Sequence, residues 1–372
     1  MKRSLACLVT ALAFGGALLV SIAGHAAAPA DGRYLYVATP GIRDYLEFGG
    51  HGLLVFDLDR DYRFVKRIAT GGLDAAGKPI NVKGVGASAA TGRIYISTLT
   101  SLQCLDLVTE KLLWERKYDG GCDRMAITPD GKEIYLPSLE KDHWHVVSGA
   151  NGDVLRRIDI PSGAHNTICG LDGKEAYLAG LRSPNLRVAA TAKREIVREV
   201  GPFTKPIRPF TVNGAQSLVF VNVNELLGFE VGDLKTGKML HRVEVNGFSK
   251  GPIKRHGCPS HGIGLTPDER ELWVCDAHNQ RMHVFDNTVM PPKQVASLAV
   301  REEPGWITFR LDGRHAWPST GDIIDLATRK TVAQLTDEEK RPVMSEKMVE
   351  IHFRDGRPVR TGDQFGLGRV LP

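Results

Sequence analysis

The chain has 372 residues, 42% of them hydrophobic and 24% charged, enough for one large domain or two ordinary ones. Its formal net charge is +5, with Lys2 and Arg3 at the extreme N-terminus contributing two of the positive charges. The rest is only mildly basic, which excludes a nucleic-acid binder that relies on a strong general cationic surface.

The first element is "MKRSLACLVTALAFGGALLVSIAGHAAAPADG". Two cations, a long apolar run and small residues around Ala26 have the layout of a secretory signal peptide. We assign residues 1–30 to it and expect cleavage at Ala26–Ala30. Cys7 lies too early for lipid attachment, because the apolar run comes after it. No other stretch is long and apolar enough to span a membrane. The mature protein is therefore expected in the periplasm or outside the cell, with no membrane span. Five cysteines remain, Cys104, Cys122, Cys169, Cys258 and Cys275; the number is odd, an oxidising compartment favours pairing, and we expect at most one disulfide, with the rest as small buried hydrophobes.

Next comes a repeat. "VGASAATGRIYISTLT", "MAITPDGKEIYLPSLE", "TICGLDGKEAYLAGLR", "FTVNGAQSLVFVNVNE", "IGLTPDERELWVCDAH" and "ITFRLDGRHAWPST" each read as strand, tight turn, strand. A second hairpin succeeds each, as in "CLDLVTEKLLWERK" and "GFEVGDLKTGKMLHRVEV". Four strands in about 40–50 residues is the size of a propeller blade. Strand B begins after Gly32, Gly92, Gly131, Gly173, Gln216, Glu269 and Gly313, which gives seven blades. The first has no strand A before it, whereas "MVEIHFRDG" at the other end has no strand B after it. We therefore predict an all-β fold over residues 31–372: a single seven-bladed propeller of four-stranded blades. The C-terminal strand closes it by joining the N-terminal blade as its innermost strand.

The motifs "RYLYVATP", "TPDGKEIYL", "TPDERELWV" and "VGDLKTGK" resemble those of the YVTN-repeat propeller family, over essentially the whole mature chain. The resemblance implies the fold and leaves function open. Propellers of this shape include lactonase-type enzymes, an antibiotic-opening lyase, haem-carrying domains and amine dehydrogenase subunits. Blades 1, 4 and 5 depart from the repeat, with insertions at 40–52, 201–208 and 246–260. Cys-x-x-Cys-His is absent from the sequence, which excludes covalently attached c-type haem.

The D-to-A and B-to-C loops share one face and carry most of the unusual sequence, including "NGFSKGPIKRHGCPSH" and "EKDHWH". The first residue of strand A stands eight positions before the turn residue. That register gives Gly84, Asp123, His165, Arg208, His261 and Gly305 on blades 2 to 7, and Met348 on the closing strand. Asp123, His165, Arg208 and His261 thus form a polar arc around one channel mouth, with glycine leaving room on the other side. Helped by Lys205, Lys250, Lys254 and Arg255 in nearby loops, the arc suits a carboxylate or phosphate. A wet channel whose polar groups satisfy one another is the plainer reading of the same ring.

Counting round the blade 6 turn puts His261 opposite Asp276, within two residues, so Asp276 is a candidate to orient it. A catalytic reading takes His261 or His165 as general base with Asp276 behind. A metal reading takes His256, Cys258 and His261, with His165, His278 or His51 as additional ligands, although H-x-C-x-x-H is not a standard tight zinc spacing. His143 and His145 form a pair further out, expected at the surface. Cys258 and Cys275 lie near the same end of blade 6 and are the candidate disulfide.

Three function classes are compatible with these features. The first is a ligand-binding or interaction scaffold of the cell envelope, monomeric, whose partner is an anionic small molecule or an envelope protein rather than nucleic acid. The second is a lactonase- or lyase-type enzyme. The third is a redox accessory protein holding a haem-like cofactor non-covalently. Sequence alone leaves the cofactor unknown.

Overall fold

The computed structural model describes residues 31–253 and 256–372. The expected signal peptide, and Lys254 and Arg255, lie outside the described residues. Seven antiparallel sheets form the blades of a propeller. The inner strands of blades 2 to 7 are Val82–Ser88, Ala126–Ile127, Ala164–Cys169, Ile207–Val212, Ser260–Leu265 and Ile307–Phe309. The turn residues Gly92, Gly131, Gly173, Gln216, Glu269 and Gly313 all have φ between 53° and 71°. This left-handed backbone is what the Asp-Gly and Asn-Gly signals call for.

The core lies between blades, because each sheet buries both faces against its neighbours. Phe229 of blade 5 meets Phe285 of blade 6 edge to face at 5.0 Å. At the seam of blades 7 and 1, Trp317 and Ile323 pack with Leu35, Val37 and Phe56. There Trp317 Nε1 donates to Tyr62 Oη (3.1 Å), and Arg33 reaches Asp312 (3.1 Å).

Closure is as expected. Met348–Arg354 pairs antiparallel with Gly32–Thr39, in the register Tyr34↔Ile351 and Tyr36↔Val349. Gly32 accordingly starts a strand instead of occupying a turn. Beyond the closing strand the chain departs from expectation. It turns at Asp355–Gly356, and Arg357–Thr361 pairs along the other edge of Met348–Arg354 as a fifth strand.

The last residues then thread the channel. Gln364 accepts from Val85 N (3.0 Å) and donates to Met125 O (3.0 Å), while Trp306 Nε1 donates to its backbone oxygen. Gly366 O accepts from Leu265 N (2.8 Å) and Thr211 Oγ1 (2.7 Å). Arg369 N reaches Pro267 O (3.2 Å) on the opposite face. The tail thus satisfies inner-strand groups from blades 2, 3, 5 and 6, and Phe365 and Leu367 are buried there. It closes the channel floor, and the mouth is a blind cup.

Candidate functional site

The cup has a volume of about 260 Å³, and its wall includes His165, Arg208, His256, His261, Lys83, Arg124, Glu346 and Lys347. Three of the four residues predicted from register line it directly. The fourth, Asp123, stands behind the wall, fully buried. His165 Nδ1 lies 2.6 Å from Asp123 Oδ2, and Lys83 Nζ lies 3.1 Å from Oδ1. Burial alone would raise this carboxyl, but the His165 and Lys83 charges outweigh it and hold it at about 2. A carboxylate accepts, so His165 carries its proton on Nδ1 and presents a basic Nε2.

Arg208 donates from Nε to Asn224 Oδ1 (2.6 Å). Its guanidinium lies against the backbone at Gly257, where a Cβ would stand 2.8 Å from it. Among the described residues no carboxylate pairs with it. Lys83, Arg124 and Lys347 of the wall each have one: Lys83 has Asp123, and Arg124 and Lys347 share Glu346 Oε2, each at 2.8 Å.

The glycine side of the ring is not open as expected. A Cβ at Gly305 would strike His256 at 2.0 Å, and one at Gly84 would meet Ser97, Arg124 and Gln364. The missing side chains make room for a cluster: His256, Glu346, Arg124 and Lys347. Arg124 lies over the Trp306 ring at 3.3 Å, and its Nε and Nη1 are buried with no hydrogen-bond partner among the described residues. Burial would raise the Glu346 carboxyl, but Lys347, His256 and Arg124 hold it well below the usual carboxylate range. Burial brings Lys347 down to about 7, although Glu346 opposes the shift. Lys83, Arg124, Glu346 and Lys347 were missed because each lies one or two positions off the register residue. The signal was available: Glu346 and Lys347 immediately precede Met348.

His261 corrects the expected His261–Asp276 pair. The backbone register holds to within one residue, since Ser260 pairs with Asp276. A bulge between Ser260 and Ile263, with Gly262 at φ 124°, takes His261 out of the ladder. Its Nδ1 donates instead to Gly305 O (3.0 Å). Asp276 is buried and bonded to His283 Nε2 (3.1 Å) and Asn279. Burial, then the neighbouring His256, pushes His261 well below the ordinary histidine value.

Cys258 does not join the histidines. Its buried Sγ donates to Ser260 O (2.7 Å), and burial pushes the thiol up to about 12. All five cysteines of the described chain are free, so the Cys258–Cys275 disulfide is not formed. His278 lines a small cavity of about 10 Å³, room for one water, whose wall also includes His256, Cys258 and Asp276, and His51 bonds Gly71 O (3.0 Å) in blade 1. His143 and His145 are buried rather than on the surface, and His143 Nε2 bonds Asp119 O (3.0 Å).

The fold and this cup define a seven-bladed propeller with a one-ended, cation-rich pocket. No protein-family model and no curated protein matches the sequence. Among solved structures the chain is similar to the dihydro-heme d1 dehydrogenase NirN in complex with DHE. The identity is 13% and the TM-score 0.61, over 89% of this chain and 73% of that one, a likeness of fold. No helix among the described residues is long and apolar enough to cross a membrane.

Proposed function

We propose that the protein is an exported YVTN-type propeller whose cup binds a compact anionic small molecule, a carboxylate or phosphate. The observation that carries this reading is Arg208. Unlike Lys83, Arg124 and Lys347, it has no carboxylate partner among the described residues, and its fork faces a cavity rimmed by Lys83 and His165. The volume lies just under the ~300–1,000 Å³ of drug-sized pockets. That favours a ligand with few heavy atoms. The haem-like alternative, which the ligand of NirN raises, calls for a wide apolar pocket above a histidine. The wall of the cup is mostly polar and charged, and Ile42 and Leu181 are its main apolar groups.

The lactonase- or lyase-type alternative draws support from the Asp123–His165 pair, which leaves Nε2 of His165 as a general base beside the cup. The test is calorimetric titration of purified protein with phosphate and with small mono- and dicarboxylates. His165→Ala and His261→Ala then separate the classes: a binding protein changes in affinity alone, an enzyme loses turnover. The proposed export is checked by N-terminal sequencing; an intact Met1 in the cytosol contradicts it.

A further inference from the structure

We infer that His256, His261 and Glu346 form a binding site for a divalent transition-metal ion in the wall of the cup. One donor atom from each residue lies within 4.8 Å of the others, and all three residues are buried. The hydrogen bonds around them decide what those atoms are. A backbone carbonyl only accepts, so the bond to Gly305 O puts the His261 proton on Nδ1 and the lone pair on Nε2. His256 Nε2 faces Glu303 O at 3.5 Å, an acceptor that can take a proton from that nitrogen. His256 Nδ1 stands 3.3 Å from Glu346 Oε1.

With its proton on Nδ1, His256 donates to Glu346; a metal ion takes the place of that proton, and Nε2, facing Glu303 O, carries the remaining one. Donors on a tetrahedral ion with bonds of about 2.1 Å stand about 3.4 Å apart, close to the 3.3 Å between His256 Nδ1 and Glu346 Oε1; the three donors together lie within 4.8 Å, so His261 closes in when the ion binds. The outer contacts are those of ligands held in place. His261 is anchored to a backbone carbonyl, and Glu346 Oε2 to Arg124 and Lys347, which leaves Oε1 turned inward. The two imidazoles are stacked, their centroids 4.8 Å apart and their planes at 22°. Two histidines and one carboxylate suit zinc or ferrous iron and leave positions open. Glu346 replaces Cys258 in the set read from sequence. Arg124 and Lys347 oppose added positive charge, so affinity below that of a structural zinc centre is expected. The site shares the cup with the proposed anion but does not depend on it.

Chelator-treated full-length protein, in buffer without phosphate or carboxylates, is titrated with Zn²⁺ by calorimetry and with Co²⁺ by visible absorption. One equivalent of each is expected, with Co²⁺ bands of a low-symmetry site. His261→Ala and Glu346→Gln should each weaken Zn²⁺ at least tenfold, whereas Cys258→Ser should leave it unchanged. Glu346 is braced by two buried cations, so its variant is checked by circular dichroism, and His256→Gln serves if it does not fold. Absence of stoichiometric Zn²⁺ and Co²⁺ binding overturns the inference, as does equal affinity in folded His261→Ala and His256→Gln, or loss of binding in Cys258→Ser. Anion titration in the presence of chelator reports separately on the anion site.

Discussion

Gly366 of the C-terminal tail crosses the inner strand of blade 6 at Gly264, so closely that a Cβ on Gly366 would stand 2.9 Å from Gly264 Cα. Gly366 also holds φ 58°, and its oxygen accepts from Leu265 N at 2.8 Å. Neither space nor backbone admits a side chain. Gly366→Val should therefore expel the tail. Phe365 and Leu367 would return to water, at about 1.5–3 kcal/mol each as an upper bound. Thermal melting and limited proteolysis read this: a lower midpoint and a newly cleavable C-terminus are expected, and unchanged melting refutes it.

Two truncations separate plug from closure. A chain ending at residue 361 keeps the Met348–Arg354 strand on blade 1 and should fold with reduced stability. A chain ending at residue 344 leaves the Gly32–Thr39 edge unpaired and should fail to give soluble protein. Equal melting of the 344 truncation and the full chain would contradict the closure argument.

Arg208→Ala should weaken the anionic ligand by about 1.5–3 kcal/mol, the worth of a charge-assisted hydrogen bond. The fold should persist, because the side chain lies at the cup and its protein bond is to Asn224. Calorimetry with the best ligand of the wild-type protein checks this; undiminished affinity counts against the anion reading.

The Asp123 carboxyl is depressed to about 2 from 3.8. Between those values the unfolded chain binds more protons than the native one, so stability rises with pH there. The contribution, roughly 2 kcal/mol, is whole above about pH 4 and lost as pH falls through 2. Asp123→Asn should cost about 3–5 kcal/mol at neutral pH, because Lys83 loses its buried partner. Urea unfolding of both proteins at pH 5 and pH 2.5 should show the gap narrowing on acidification. A gap independent of pH would refute the assignment.

Much of this molecule is legible in its sequence because a propeller repeats. The turn residues Gly92 to Gly313 set a count, and counting eight back from each placed His165, Arg208 and His261 around one mouth. Counting fails where the backbone leaves the ladder. The bulge at Gly262 turned His261 from Asp276 to Gly305, although the register itself was right to one residue. It also fails for groups such as Arg124 and Glu346, which belong to loops and not to the period. The tail "QFGLGRVLP" carries no alternation, so nothing local marks it as a channel plug; its partners are inner-strand groups of four blades.

The pairing of Gly32–Thr39 with Met348–Arg354 joins strands separated in sequence by the other six blades. Blade 1 therefore stays incomplete until both of its distant parts are in place. Loop-closure entropy grows only slowly with length, and so delays the final contact far more than it weakens it. The Met348–Arg354 strand is thus the keystone: its docking turns an open arc of blades into a ring.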